Sequence, residues 1–194
     1  MTTSPLNEFA ARIESLDALD APGRAIGRTV RGLLPGGAGK DVLSGAHIGH
    51  ALHPLLSDVP IGTWTSSVIL DWIGGRKART ASDRLVLAGL LAAGATIATG
   101  WSDWADAEER VPAVRRSGLV HAVTNATATA LMAGSYVARK RGARGRGRAL
   151  SLAGSAALGA GGWLGGHLSY TLGAGVAAGA PATGTQATAA EPVV

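Results

Sequence analysis

The chain has 194 residues, 46% of them hydrophobic but only 4% aromatic, with one Phe, two Tyr and 29 glycines. Charged residues are 16%, below the roughly 25% of soluble domains, and they cluster in short stretches, so a small polytopic membrane protein fits better than a water-soluble domain with an aromatic-poor core. No cysteine is present, which excludes disulfides and thiolate-held metal, and the net charge of +5 comes from loops between apolar segments, which argues against a nucleic-acid-binding face.

In chain order, the first segment is amphipathic. Leu6, Phe9, Ala10, Ile13, Leu16 and Leu19 recur at helical steps over Ser4–Leu34, against Glu8, Arg12, Glu14 and Asp17. Pro22–Gly23 is expected to break it, and a second short piece carries Ile26, Val30, Leu33 and Leu34. Residues 1–45 thus form interfacial helices and a linker, lying in the membrane surface or packed on the chain's own bundle. They hold no apolar stretch of signal-peptide type.

Four apolar segments follow, and residues 46–175 form one domain. Leu55–Ile73 is about as long as the roughly 20 residues that span hydrocarbon. Leu85–Trp101, Ser117–Ala138 and Ala149–Leu172 are the second, third and fourth spans. Basic loops separate the first span from the second (Arg76, Lys77, Arg79, Arg84) and the third from the fourth (Arg139–Arg148). An acid-rich loop, Ser102–Arg116, separates the second from the third. Small residues recur every fourth position in the last three spans, for example Ala92, Thr96, Gly100 and Ala157, Gly161, Gly165, which permits close helix approach. Residues 176–194, rich in Ala, Gly, Thr and Pro, read as a disordered tail. The expected fold is all-α: a four-transmembrane-helix bundle. Basic loops inside imply that both termini lie outside.

This topology sends the histidines to one leaflet. His50 and His53 precede the first span, His121 opens the third and His167 lies near the end of the fourth. His47 lies furthest from a span. Imidazole is the commonest metal ligand and the usual axial ligand of haem iron. His50, His53, His121 and His167 are therefore candidate ligands for haem b. For another metal ion the candidate set is His53, His121 and His167 with Asp58 and Asp103. Asn125, one turn after His121, is placed to orient its ring. A polar cluster without a cofactor is the competing reading. No G-x-S-x-G elbow or phosphate-binding loop is present, and Asp103–Glu109 reads as a solvated acidic run, so no enzymatic reaction is assigned.

The motifs GHALHPLLSDVPIGTWTSSVILDWIG (Gly49–Gly74), TGWSDW (Thr99–Trp104), RRSGLVHAVTN (Arg115–Asn125) and GGWLGGHLSY (Gly161–Tyr170) resemble a bacterial membrane family catalogued as domain of unknown function 2231. The resemblance runs from His47 to Gly175. Ala51 stands where the family usually has a proline between its histidines. By position, His50, His53, Asp58, Pro60, Asp71, Asp103, His121 and His167 match. The resemblance implies a four-helix integral membrane domain, and some members continue into a Rieske-type iron–sulfur domain. A redox partner of that type and a role in electron transfer are what that fusion implies. The alternative is a cofactor-free membrane anchor or assembly subunit for such a partner. A transporter is disfavoured, because the cytoplasmic half offers no matching polar path. Gly162 and Gly166 form a GxxxG pair suited to a homodimer.

Overall fold

The structure, a computed structural model, describes residues 4–34 and 36–175. The expected tail lies outside the described residues. These fold as seven α-helices with no strand among them: α1 (Pro5–Glu14), α2 (Asp20–Leu33), α3 (Ala38–Ser44), α4 (Leu52–Ile73), α5 (Arg79–Ala107), α6 (Pro112–Lys140) and α7 (Arg144–Gly166), with a π-helical turn over His167–Thr171.

Each long helix packs on the next, and α7 returns to α4, so the four form a closed ring. The connections at 74–78, 108–111 and 141–143 are short, which forces neighbours antiparallel and makes α4 and α6 run in the same direction. Helices α5 and α6 have 29 residues each, about 44 Å at 1.5 Å per residue. They continue through stretches that the sequence gives to loops. Ser102–Ala107 completes α5, because its polar side chains find partners on the N-terminal helices. By length and composition, α5 is the one described helix long and apolar enough to cross a membrane.

The interior mixes apolar residues such as Trp64, Val86, Met132 and Leu164 with an unusual share of polar ones. Ser67, Ser82, Ser117, Ser135, Ser151 and Arg139 are buried. Ile69, Trp72, Leu91, Val123 and Leu152 stand on the outside, each about half exposed or more. Buried polar side chains together with large apolar ones on the outside are compatible with a lipid surrounding.

The N-terminal segment packs on the chain itself. Ala10 and Ile13 of α1 are buried, and Phe9 lies against Trp163. The helix break falls at Ser15–Leu19, not at Pro22–Gly23. Pro22 sits in the first turn of α2, where a missing N–H costs nothing. Ion pairs fasten this layer to the ends of α5 and α6: Arg31 to Glu108 at 2.9 Å, Lys40 to Asp106 at 2.8 Å and Arg116 to Asp20 at 2.9 Å. Glu108, read from sequence as solvated, is fully buried and also accepts from Arg115 Nε at 2.7 Å. A charge sealed from water survives only with such partners.

Candidate functional site: a histidine pair on the repeat axis

His53 enters from the first turn of α4 and His121 from α6, diagonally across the ring of helices. Their ring centroids are 6.5 Å apart and their planes are inclined at 80°. Each ring is seated in the same way. His53 Nδ1 donates to the carbonyl of Thr96 on α5 at 2.9 Å, and His121 Nδ1 donates to the carbonyl of Gly161 on α7 at 2.9 Å.

The sequence explains why a ring can reach those carbonyls. In a helix the Cβ of residue i+4 leans over the carbonyl of residue i. Here i+4 is Gly100 for Thr96 and Gly165 for Gly161. A Cβ at Gly100 would lie 2.7 Å from His53 Cε1, and one at Gly165 would lie 3.0 Å from His121 Cε1. Those members of the four-step rows act as ring seats.

Donation through Nδ1 fixes the tautomer and leaves the Nε2 lone pair for a ligand. Among the described residues His53 Nε2 makes no hydrogen bond. Asn125 Nδ2 lies 3.3 and 3.2 Å from the two nitrogens of His121 and donates to the His121 carbonyl at 3.0 Å. A group equidistant from both ring nitrogens lies along neither lone pair, so Asn125 packs on the ring without capping Nε2. The carbonyl of Gly161 orients the ring, with Asn125 alongside.

The two hairpins α4–α5 and α6–α7 repeat this construction. The separation of 68 residues between Asp71 and Arg139 also relates His53 to His121, Ser57 to Asn125 and Ser67 to Ser135. Ser57 donates to the His53 carbonyl as Asn125 does to that of His121. Ser67 pairs with Ser82 at 3.0 Å, and Ser135 with Ser151 at 2.7 Å. The equivalent residues of α4 and α6 meet at both ends of the array, histidine with histidine at one and aspartate with arginine at the other. A pseudo-twofold relation between the two hairpins, with its axis along the helices, describes both meetings. The recurrence H-x13-S-x3-[D/R] carries this signal in the sequence, and a search for single motifs passes over it.

The remaining candidates lie elsewhere. His167 Nε2 is 2.6 Å from Glu14 Oε1, and its ring stacks on Trp163. It serves the α1 contact. His50 and Asp58 are exposed. Asp103, half-buried, lies on the α5 turn beside Trp104, whose indole packs on Val114 and Leu119 and donates to the Val114 carbonyl at 3.3 Å. Among the described residues no three His, Asp or Glu side chains converge closely enough to hold a metal ion, so the set of His53, His121, His167, Asp58 and Asp103 is not assembled. His53 and His121, with ring centroids 6.5 Å apart, are the two imidazoles that could share a cofactor's metal.

No curated protein and no solved structure matches the chain. A family model described as predicted membrane protein (DUF2231) matches residues 49–178, a span that includes the four long helices and both histidines of the pair. The chain belongs to that predicted membrane protein family.

Proposed function

We propose that the protein is a multi-pass inner-membrane protein whose His53 and His121 would hold a metal centre, with haem b iron as the favoured occupant and electron transfer as the role. The observation that carries this reading is the paired seating of the two rings. Both give Nδ1–H to a helix carbonyl that a glycine uncovers, and both keep Nε2 for a ligand. Backbone acceptors of this kind set ring orientation and raise the basicity of the ligating nitrogen. Iron held by two imidazoles supplies one-electron exchange.

The apolar periphery supports four crossings, with Ser67 of α4, Ser117 and Ser135 of α6 and Ser151 of α7 buried while Ile69, Val123 and Leu152 lie outside. Basic residues gather at the Asp71–Arg139 end and the histidines at the other, so the pair faces the outer leaflet with both termini outside.

An absorption spectrum of protein purified in mild detergent from haem-sufficient cells tests the reading, with metal analysis of the same sample. A Soret band lost in both His53→Ala and His121→Ala is the expected result. A folded preparation without haem or metal would sink it and favour the cofactor-free anchor for a Rieske-type or other redox partner.

A further inference from the structure

The end of the array opposite the histidines carries a cleft of about 350 Å³ between the C-terminus of α4 and the start of α7, lined by Asp71, Trp72, Arg76, Arg79, Arg144 and Arg148. Its one acid is already engaged. Asp71 is 2% exposed and is held by Arg139, and Arg144 Nη2 approaches it at 3.3 Å. Arg144 is further committed to Asp83 at 2.9 Å and to the Arg79 carbonyl at 3.1 Å. Arg76, Arg79 and Arg148 form no ion pair among the described residues. The cleft therefore presents three uncompensated guanidinium groups, whose planar donor forks match phosphate oxygens.

Trp72 stands at the rim, 63% exposed, with the Arg148 guanidinium 4.6 Å from its ring centre. An exposed indole at a helix end marks the headgroup level of a bilayer. One turn deeper the same two helices expose Ile69 and Leu152, at 49% and 51%. A phosphate in the cleft would thus have an apolar wall directly below it. That combination separates a lipid from a free anion, because a soluble phosphate has no use for the wall.

We propose that this cleft binds the phosphate headgroup of an anionic phospholipid of the cytoplasmic leaflet, with the acyl chains lying along Ile69 and Leu152. The inference rests on the membrane placement above but not on any cofactor. Arg144 keeps the cleft open by bridging Asp71 and Asp83. Arg76, Arg79 and Arg148 take the phosphate, and Trp72 holds Arg148 in place through its ring face.

The test uses full-length protein, delipidated in detergent and titrated with phosphatidylglycerol, phosphatidylcholine or inorganic phosphate, with bound lipid read by native mass spectrometry. Phosphatidylglycerol is expected to bind more tightly than phosphatidylcholine by about tenfold or more. The triple variant R76Q/R79Q/R148Q should lose that preference, whereas K77Q/R84Q/R141Q, which removes equal charge outside the cleft, should keep it. Equal binding of the two lipids, or a preference that survives the cleft variant, would overturn the proposal. Competition by inorganic phosphate as strong as by phosphatidylglycerol would reduce the cleft to an ion site and also overturn it. Carbonate extraction of native membranes separates the two levels. Protein retained in the membrane but lacking lipid preference defeats the lipid site alone, and protein released defeats the membrane placement and the lipid site with it.

Discussion

Asp71 and Arg139 stand at equivalent positions of the two hairpins, 68 residues apart, and their side chains meet in the interior, the guanidinium with no exposed surface and the carboxylate with 2%. Arg139 also donates to Ser82 at 2.7 Å, Ser135 at 3.0 Å and Ser151 at 2.7 Å. Equivalent positions thus carry opposite charges, and the hydroxyl pairs of both hairpins gather around them, Ser82 bonding to both Asp71 and Arg139 and Ser135 and Ser151 to Arg139. This knot joins the hairpins at the end opposite the histidines.

Breaking the knot from one side should be severe. Arg139→Leu leaves Asp71 with Arg144 as its one cation and Ser82 as its hydroxyl donor, and Asp71→Leu leaves a buried guanidinium short of its main partner. Each single change is expected to destabilise by about 3–5 kcal/mol, and the double change Asp71→Leu/Arg139→Leu by clearly less. Thermal unfolding in detergent, followed by size-exclusion fluorescence, measures the cycle. Additive losses would mean that the two side chains are not coupled.

The glycine seats give a second expectation. Gly100→Ala and Gly165→Ala each place a methyl group against an imidazole, at 2.7 and 3.0 Å from the ring carbon. Overpacking of this sort costs about 1–3 kcal/mol, with Gly100→Ala the worse of the two. Gly162→Ala is the control, since nothing lies within 4 Å of its added Cβ. Proton NMR of the imidazole N–H groups should show the His53 Nδ1–H signal lost in Gly100→Ala and kept in Gly162→Ala.

Acid should loosen the N-terminal layer before the helix array. Hydrogen bonds from Arg116 hold the Asp20 carboxyl down at about 2, against an ordinary value of 3.8, with burial opposing and Arg115 adding to the effect. A carboxyl whose folded value is depressed stabilises the fold fully above its unfolded value and loses that contribution as pH falls through the folded one. Pepsin cleavage within α1 and α2 is therefore expected to rise between about pH 4 and pH 2. In Asp20→Asn the same cleavage should already be high at the upper end of that range. Identical profiles for the two proteins would remove Asp20 from the fastening.

Much of this architecture is legible in the residues. Leu55–Ile73 anticipates α4 to within a turn, and the charged stretches mark where the long helices reverse. The sequence is less informative where charges are neither loops nor solvated. Asp103, Asp106 and Glu108 read as an acidic loop, yet the first two are helical and the third is the most buried acid at that end, because Arg31 reaches it from α2 and Arg115 from the next helix, while Lys40 takes Asp106. Periodicity reports which faces are apolar and carries no information on which cation meets which anion 77 residues away. The same limit applies to the histidines. Alternating helix direction brings them to one end, but rotation about each helix decides which of them meet.

Topology follows from the same charges. Reporter fusions at Ala78 and Ala143, in the two basic turns, should give cytoplasmic signals, and fusions before Pro5 should give extracytoplasmic ones. A periplasmic signal at Ala78 or Ala143 would reverse the orientation and put the arginine cleft in the outer leaflet.

His167 separates the pair from the wider cluster. It shares an end of the array with His53 and His121, but its Nε2 is bonded to Glu14 and its ring stacks on Trp163, which Phe9 also contacts. By position in the sequence, His167 is as good a ligand candidate as His121. The structure gives it the task of clasping α1. His167→Ala should therefore leave any Soret band or bound metal intact while freeing the first helix, at a cost on the order of 1 kcal/mol. Glu14→Ala should do the same, and the double variant should be no worse than either single one, because both remove one contact. Limited proteolysis near Arg12 reads the release of α1, and the absorption spectrum reads the pair. If His167→Ala abolishes the spectrum as completely as His121→Ala, a third imidazole serves the centre and the two-ligand reading is wrong. If it changes neither spectrum nor cleavage, the clasp is not what holds α1, and burial of Ala10 and Ile13 suffices.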